Sequence, residues 1–157
     1  MPRPPRTGAA RRLGCASLIA LAVALGAAGC GGSGDDQAVK QTLQRFLAAI
    51  GRGNGQAACA LVTPAGQAAL AAQIAALTHA THTVSCPVIL TEIAKLLPPA
   101  AKQGLESVQV KKVTVKGNSA TVLSRDLHAT KGNATAFLSG GAATKLVKVG
   151  GAWKVTN

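Results

Sequence analysis

An α+β fold is predicted, with helices in the first half of the chain and antiparallel strands in the second. Two observations predict it. Apolar residues recur at helical spacing as far as Pro98, and from Ser107 onward they alternate with polar residues, as in half-buried strands. Helices followed by hairpins are typical of a domain in which N-terminal helices pack on one face of a curved antiparallel sheet.

Residues 1–29 have the layout of a cleaved signal peptide. An apolar stretch from Leu13 to Ala28 follows a segment with four arginines, namely Arg3, Arg6, Arg11 and Arg12. These 16 apolar residues would span about 24 Å as a helix, short of the hydrocarbon core of about 30 Å. A permanent transmembrane anchor is therefore the weaker interpretation. The adjacent Arg11 and Arg12 leave the export route open.

The apolar stretch ends in Ala27-Ala28-Gly29-Cys30, which resembles the lipobox of bacterial lipoproteins. Ala27 departs from that pattern, in which Leu is preferred. The resemblance implies that the thiol of Cys30 takes a diacylglyceryl group and that Cys30 becomes an acylated N-terminus, palmitate being a typical acyl group. We therefore expect a lipid-anchored protein on the extracytoplasmic face of the cell membrane, with membrane lipid as its first partner. Ordinary secretion with a spare thiol is the alternative.

Cleavage after residue 29 leaves 128 of 157 residues, enough for one core. Residues 30–36 are rich in glycine and aspartate, and we expect them to form a flexible tether ahead of a single domain over residues 37–157.

Positive charge is concentrated in the second half of the mature chain. Four of the 17 basic residues fall in the signal peptide, so the mature chain has 13 basic and five acidic residues, a net charge of +8. Residues 107–157 hold eight basic residues and one acidic residue, Asp126. The chain has three aromatic residues that could stack on bases and no recognisable nucleic-acid-binding motif, so we do not expect nucleic acid to be the partner. Anionic headgroups or envelope polymers are the functional interpretation, and solvated lysines that maintain solubility are the alternative.

Four helices are predicted. The first follows Asp35 and Asp36 and carries apolar residues at helical spacing, namely Val39, Leu43, Phe46, Leu47 and Ile50. The others are expected over residues 56–62, 64–77 and 87–97, with Thr63 as the N-cap of the third and Pro98-Pro99 ending the fourth.

The second half predicts an antiparallel meander. Gly117-Asn118 indicates a hairpin, and the change of parity at Lys111-Lys112 indicates a β-bulge. The expected strands cover residues 108–110, 113–115, 120–128, 135–139, 145–149 and 152–156.

The order of these elements is similar to that of the nuclear transport factor 2-like superfamily, which includes ketosteroid isomerases and SnoaL-like proteins. The resemblance rests on residues 39–64 and on the terminal segment KLVKVGGAWKV, and it covers residues 36–157. It implies a cone-shaped domain whose mouth binds a small apolar ligand. The implied pocket residues are Phe46, Asp126, His128, Phe137 and Trp153. Sheet-to-sheet dimers are common in that family, so a homodimer is implied, although the sequence leaves the oligomeric state open.

Enzymes of that superfamily place an Asp with Tyr or His partners in the pocket, and this chain contains no Tyr. Asp126 and His128 would share a strand face if the strand were regular, which would allow acid–base catalysis. If Leu123 and Leu127 point inward instead, both polar groups are exposed near a turn. We therefore expect a non-enzymatic domain, without cofactors, that binds a small ligand or an envelope partner. The alternatives are a small isomerase or dehydratase and a structural adaptor.

Cys59 and Cys86 are the two cysteines that remain beyond Cys30, and an exported protein meets oxidising conditions. We predict a disulfide between them. The rival interpretation is a zinc site formed by His79, His82 and Cys86, whose spacing suits one face of a helix. The β-branched residues between them disfavour a helix, so no metal is expected.

Overall fold

The computed structural model describes residues 33–78, 84–134 and 143–156, and it confirms the α+β class. The predicted signal peptide, Cys30 and the predicted strand 135–139 lie outside the described residues. The described helices are α1 (Ser33–Gly51), α2 (Gly55–Ala60), α3 (Pro64–Thr78), α4 (Cys86–Leu96) and α5 (Pro99–Glu106). The described strands are β1 (Val108–Val110), β2 (Thr114–Lys116), β3 (Ser119–Leu123), β4 (Leu127–Ala129), β5 (Ala143–Val149) and β6 (Ala152–Thr156).

Helix α1 lies at the centre of the fold. Its apolar residues Val39, Leu43, Leu47 and Ile50 are buried and recur at three- and four-residue spacing, so that they form one face of the helix. This face contacts α2, α4 and α5 on one side and strands β1, β2 and β6 on the other. Helix α1 therefore joins the helical half of the domain to the sheet.

The tether predicted over residues 30–36 was too long, because α1 begins at Ser33. Asp35 and Asp36 lie in the first turn of the helix, where carboxylates interact favourably with the positive end of the helix dipole. Two residues, Gly31 and Gly32, are left between Cys30 and the helix.

The turn between α1 and α2 satisfies the backbone of both helices. Gly53 has a φ of +70°, and its N–H donates to the Ile50 carbonyl while the Asn54 N–H donates to the Ala49 carbonyl, which is a Schellman motif. The Asn54 side chain then accepts a hydrogen bond from the Ala57 N–H at 2.9 Å and caps α2. The Gly-rich segment that was predicted to close α1 therefore also opens α2.

Helices α3 and α4 begin at or within one residue of their predicted first residues, Pro64 and Pro87. The Thr63 hydroxyl accepts a hydrogen bond from the Gly66 N–H at 3.0 Å, with Pro64 as the first residue of α3. Helix α4 has Pro87 in its first turn. Helix α5 was missed, since Pro98-Pro99 was taken only as the end of α4. Pro99 instead opens a new helix, because proline suits the first helical position.

The strands form two sheets rather than a single meander. The larger one has the order β2-β3-β5-β6, with every neighbouring pair antiparallel. Strands β1 and β4 form a separate antiparallel pair. Val62 extends the larger sheet through a parallel bridge to Val155 at the free edge of β6.

Two predicted features of the strands were wrong. The break at Lys111-Lys112 is not a bulge within one sheet; it moves the chain from β1 in the small sheet to β2 in the large one. The predicted strand over residues 120–128 is interrupted by a turn of 3-10 helix at Ser124–Asp126, which returns the chain from β3 to β4 in the small sheet. Both breaks are required if the chain is to leave one sheet and re-enter it.

One face of the large sheet is covered by α1. Ala120, Val122, Leu146, Trp153 and Val155 are buried under the helix, whereas the residues that alternate with them are exposed or half-buried. The space between α1 and the sheet is filled by aliphatic side chains, which form one continuous core with the helices.

Candidate functional site

The start of α1 is attached to the last hairpin by a cluster of three side chains, Asp35, Lys148 and Trp153. The ammonium of Lys148 donates to Oδ1 of Asp35 at 2.7 Å, and the indole N–H of Trp153 donates to the same oxygen at 3.1 Å. The Lys148 ammonium also lies 5.8 Å from the centre of the Trp153 ring, within the range of a cation–π interaction. The first turn of α1 is thus held on the sheet by an ion pair and an indole N–H, while the cation–π interaction keeps the two donors together.

The two donors hold the pKa of the Asp35 carboxyl below its ordinary value. The hydrogen bond from Lys148 contributes most, and the bond from Trp153 comes second. Both bonds favour the ionised carboxylate. Asp35 is therefore anionic at neutral pH and offsets the charge of Lys148.

The hairpin geometry places Lys148 and Trp153 side by side. They are direct cross-strand partners in β5 and β6, two residues from a turn at Gly150 and Gly151. Both glycines have positive φ, which residues with a side chain adopt only with strain. The double glycine is therefore what allows the tight turn that brings the lysine and the tryptophan together beside Asp35.

The partners of the Asp35 side chain were not predicted from the sequence. The sequence correctly placed Asp35 at the start of a helix. The hairpin signal around Gly150-Gly151 predicts that Lys148 and Trp153 are neighbours. The contact with Asp35 joins positions 113 and 118 residues apart, and no local pattern encodes such a contact.

The predicted disulfide is present. Cys59 in α2 and Cys86 at the start of α4 are bonded, with 6.0 Å between their Cα atoms. The two helices are in close contact, and both cysteines are buried in the core. The cystine ties α2 to α4 within the helical layer.

The zinc interpretation is left without its sulfur ligand, because Cys86 is in the disulfide. His79 and His82 lie outside the described residues. Across the ranges that are described, no group of three His, Cys, Asp or Glu side chains could hold a metal ion.

Phe46 lies in an open groove between α1, α3 and the ends of β5 and β6. The groove has a volume of about 500 Å³, a size typical of small-ligand sites. Phe46 and Val155 give it an apolar surface, and Lys145 is the one charged side chain among the described residues that line it. The lining residues are Phe46, Gln73, Ala143, Thr144, Lys145, Val155 and Thr156.

The other residues of the predicted pocket do not line this groove. Trp153 is buried beside Asp35, three residues along β6 from Thr156 and close to the turn. Phe137 lies outside the described residues. The structure therefore places Phe46 and Trp153 at different levels of the sheet, with the aliphatic core between them.

Asp126 and His128 do not share a regular strand face. Asp126 ends the 3-10 turn and is half-buried, and its carbonyl accepts a hydrogen bond from the Lys111 N–H. His128 is exposed on β4, opposite Gln109. Both residues belong to the part of the chain that forms the small sheet, away from the groove at Phe46.

A second open groove, of about 450 Å³, runs between the α1–α2 turn and the first half of α4. Its rim carries charges of both signs, on Arg52 and Glu92, together with the half-exposed Val88. Unlike the groove at Phe46, it has no aromatic side chain among its described lining residues.

Comparison with known proteins gives no relative from which a function could be transferred. No protein-family model matches the chain, and no curated protein or solved structure matches it significantly. Within the described ranges, no helix is both long enough and apolar enough to cross a membrane.

Proposed function

We propose that the protein is an exported lipoprotein, anchored to the extracytoplasmic face of the cell membrane through an acylated Cys30. The observation that carries the proposal is the Cys59–Cys86 disulfide, since such bonds persist in oxidising compartments outside the cytosol. The position of the domain supports it as well. Helix α1 begins at Ser33, directly after the lipobox-like sequence, and is fixed to the sheet by Asp35.

The anchored domain, in this proposal, is a non-enzymatic binding domain of the nuclear transport factor 2-like kind. The groove at Phe46 is its ligand site. The apolar surface of Phe46 and Val155 suits a small apolar body, and the ammonium of Lys145 suits a single negative group on it. The supporting observation is that Phe46 is only partly buried although it lies on the core-facing side of α1.

The anchor is tested by replacing the thiol that would be acylated. Cys30→Ala removes the diacylglyceryl acceptor, so we expect the protein to leave the membrane fraction or to retain its first 29 residues. The unchanged Cys59–Cys86 disulfide serves as the control for export. A Cys30→Ala protein with the same mature mass and the same membrane association as the wild type would contradict the anchor.

The groove is tested with anilinonaphthalene sulfonate, a fluorescent apolar anion. Gln73→Glu adds a negative charge to the groove without changing the size of the side chain, and we expect it to weaken binding about fivefold, as for two charges a few Å apart in water. Gln41→Glu makes the same change on the exposed side of α1 and should leave binding unchanged. Equal affinity in both variants would exclude this groove as the ligand site.

An adaptor role is the second candidate, and α3 favours it. This helix is built almost wholly of apolar residues, yet it contacts only α4 and β6 to any extent among the described elements, and Leu77 is 78% exposed. Helices that are apolar on all sides are normally covered. A photo-crosslinker at Leu77 should then capture one discrete envelope protein in intact cells, while the same label at the exposed Gln103 captures none.

A further inference from the structure

Both tight turns of the large sheet lie at the same end, next to the first turn of α1. The Lys148 N–H donates to the Asn118 carbonyl at 2.8 Å, which places the turn at Gly117-Asn118 beside the turn at Gly150-Gly151. The Lys148 side chain reaches Asp35 in α1. We call this part of the surface the hairpin end; its outermost residues are Lys116, Gly117, Asn118, Val149, Gly150 and Gly151.

The hairpin end lies beside the first turn of α1, which is the part of the described structure closest along the chain to Cys30. Three residue steps separate Cys30 from Ser33, and a fully extended chain covers at most about 3.6 Å per step, or roughly 11 Å in all. Asp35 is bonded to Lys148 one helical turn later. A lipid attached to Cys30 therefore keeps the start of α1 within roughly 11 Å of the attachment point, a distance only a little greater than the Debye length of about 8 Å at physiological salt.

The composition of the hairpin end suits an anionic bilayer. Lys116 is exposed, and Val149 beside the double glycine is 51% exposed although it is apolar. Lys154 lies in the same cross-strand row as Lys116, on the opposite edge strand, and its ammonium donates to the Ala60 carbonyl, so that Lys116 is the exposed lysine on which the docking rests. Asp35 is already paired with Lys148, so Asp36 is the one other carboxylate in the first turn of α1.

We propose that the hairpin end docks on anionic lipid headgroups, so that the tethered domain stands on the membrane with the groove at Phe46 directed away from it. This inference rests on the proposed acylation of Cys30. The exposed Lys116 attracts the headgroups, and Val149 enters the interfacial region. The groove lies at the other end of β5 and β6, where Lys145 is one of its lining residues. It therefore remains open to the aqueous side.

The protein contains a natural probe for this docking, since its single tryptophan, Trp153, lies at the hairpin end. The acylated protein is reconstituted into vesicles of phosphatidylcholine alone or with phosphatidylglycerol, each with a nitroxide-labelled headgroup lipid as a short-range quencher. We expect Trp153 fluorescence to be quenched more strongly on the anionic vesicles. The extra quenching should disappear at about 1 M salt, where the Debye length falls to about 3 Å.

A pair of lysine variants tests whether the hairpin end itself makes the contact. Lys116→Gln should lower the ratio of docked to undocked protein about fivefold, the usual effect of one lysine near an anionic surface. Lys131→Gln removes the same charge elsewhere. The Lys131 carbonyl accepts a hydrogen bond from the Ser107 hydroxyl, directly after α5. The end of α5 packs against Gly51, the last residue of α1. Because α1 has 19 residues, its last residue lies about 27 Å from its first, which is at the hairpin end. This control should leave quenching unchanged.

The outcomes separate the docking from the anchor. Flotation of the vesicles in a density gradient shows whether the protein is membrane-bound. Protein that does not float with either kind of vesicle contradicts the acylated Cys30 and the docking together. Protein that floats, but is quenched equally on neutral and anionic vesicles, contradicts the docking alone. An equal loss of quenching in Lys116→Gln and Lys131→Gln would show a general attraction of the basic chain, and would overturn the assignment to the hairpin end.

Discussion

At the scale of single residues, the Asp35 carboxylate connects two parts of the molecule that the sequence keeps far apart. It accepts hydrogen bonds from Lys148 and from Trp153, and both donors lie on the last hairpin. Without its negative charge, the Lys148 ammonium and the Trp153 N–H would lose their common acceptor. A buried or half-buried donor without an acceptor is destabilising. Asp35 therefore stabilises the attachment of α1 to the sheet.

The lowered pKa of Asp35 predicts a dependence of stability on pH. Since the folded-state pKa is below the unfolded-state value of about 3.8, the contribution is complete above that value and is lost as the pH falls through the folded-state pKa. Asp35→Asn should therefore lower the urea midpoint at pH 7, and this effect should shrink as the pH falls below 3.8 and through the folded-state pKa.

The control for this experiment is Asp36→Asn, which removes a neighbouring carboxylate and leaves the Asp35 contacts in place. Its urea midpoint should stay close to that of the wild type at pH 7. If Asp35→Asn and Asp36→Asn gave the same midpoint at every pH, the stabilising role of the Asp35 contacts would be refuted.

Residue-level predictions from the sequence succeeded where the cause is local. Thr63 followed by Pro64 predicts an N-cap, and the hydroxyl does accept the Gly66 N–H. The disulfide could be inferred by elimination, because two cysteines remain after Cys30. The Asp35 contacts could not be inferred, since they depend on how the last hairpin packs against the first helix.

At the scale of elements, helices α2 and α4 approach each other so closely that no side chain fits between them. A Cβ at Gly55 would lie 2.0 Å from the Pro87 carbonyl oxygen and 2.5 Å from the Thr91 hydroxyl. The Cys59–Cys86 bond links the same two helices. This pair of helices therefore has to keep its spacing for the helical layer to form.

Gly55→Ala should consequently destabilise the protein by about 3 kcal/mol, at the upper end of the usual cost of overpacking, because the added methyl meets backbone and not a flexible side chain. Gly34→Ala is the matched control in α1, where no described atom lies within 4 Å of the added methyl, and it should be neutral or slightly stabilising. Urea unfolding measures both. Equal stability of the two variants would contradict the close approach.

The cystine between the two helices should contribute about 3 kcal/mol, because it closes a loop with a sequence separation of 27 residues in the unfolded chain. Adding a reductant should lower the free energy of unfolding by that amount. The double variant Cys59→Ser, Cys86→Ser should show the same loss and no response to the reductant. A reductant effect that persisted in the double variant would have to come from another source.

Element-level predictions succeeded for helices with a periodic apolar face and failed at junctions. Four helices were found near their predicted bounds, whereas α5 was missed because Pro99 both follows one helix and opens the next. The strand expected over residues 120–128 breaks at Ser124–Asp126, although its apolar residues alternate correctly on either side. Which strands pair is decided by long-range packing, and alternation alone does not carry that information.

At the scale of the whole molecule, the proposed lipid site, the hydrophobic core and the groove at Phe46 follow one another from one end of the domain to the other. The proposed lipid at Cys30 holds the hairpin end near the headgroups, the aliphatic core above it gives rigidity, and the groove at Phe46 lies beyond. The positive charge of residues 107–157 is spread over the domain: Lys116 and Lys148 lie at the hairpin end, whereas Lys145 lines the groove. Of the five predicted pocket residues, the four that the structure describes lie in three separate parts of the fold.

The central claim is that the protein is a lipid-anchored, disulfide-bonded domain outside the cytosol. Intact mass spectrometry of the membrane-extracted protein, with and without reduction and thiol alkylation, tests it most directly. We expect a chain that begins at an acylated Cys30 and gains two alkyl groups only after reduction, at Cys59 and Cys86. A chain with an unmodified Cys30 thiol, or one that takes up two alkyl groups without reduction, would contradict it.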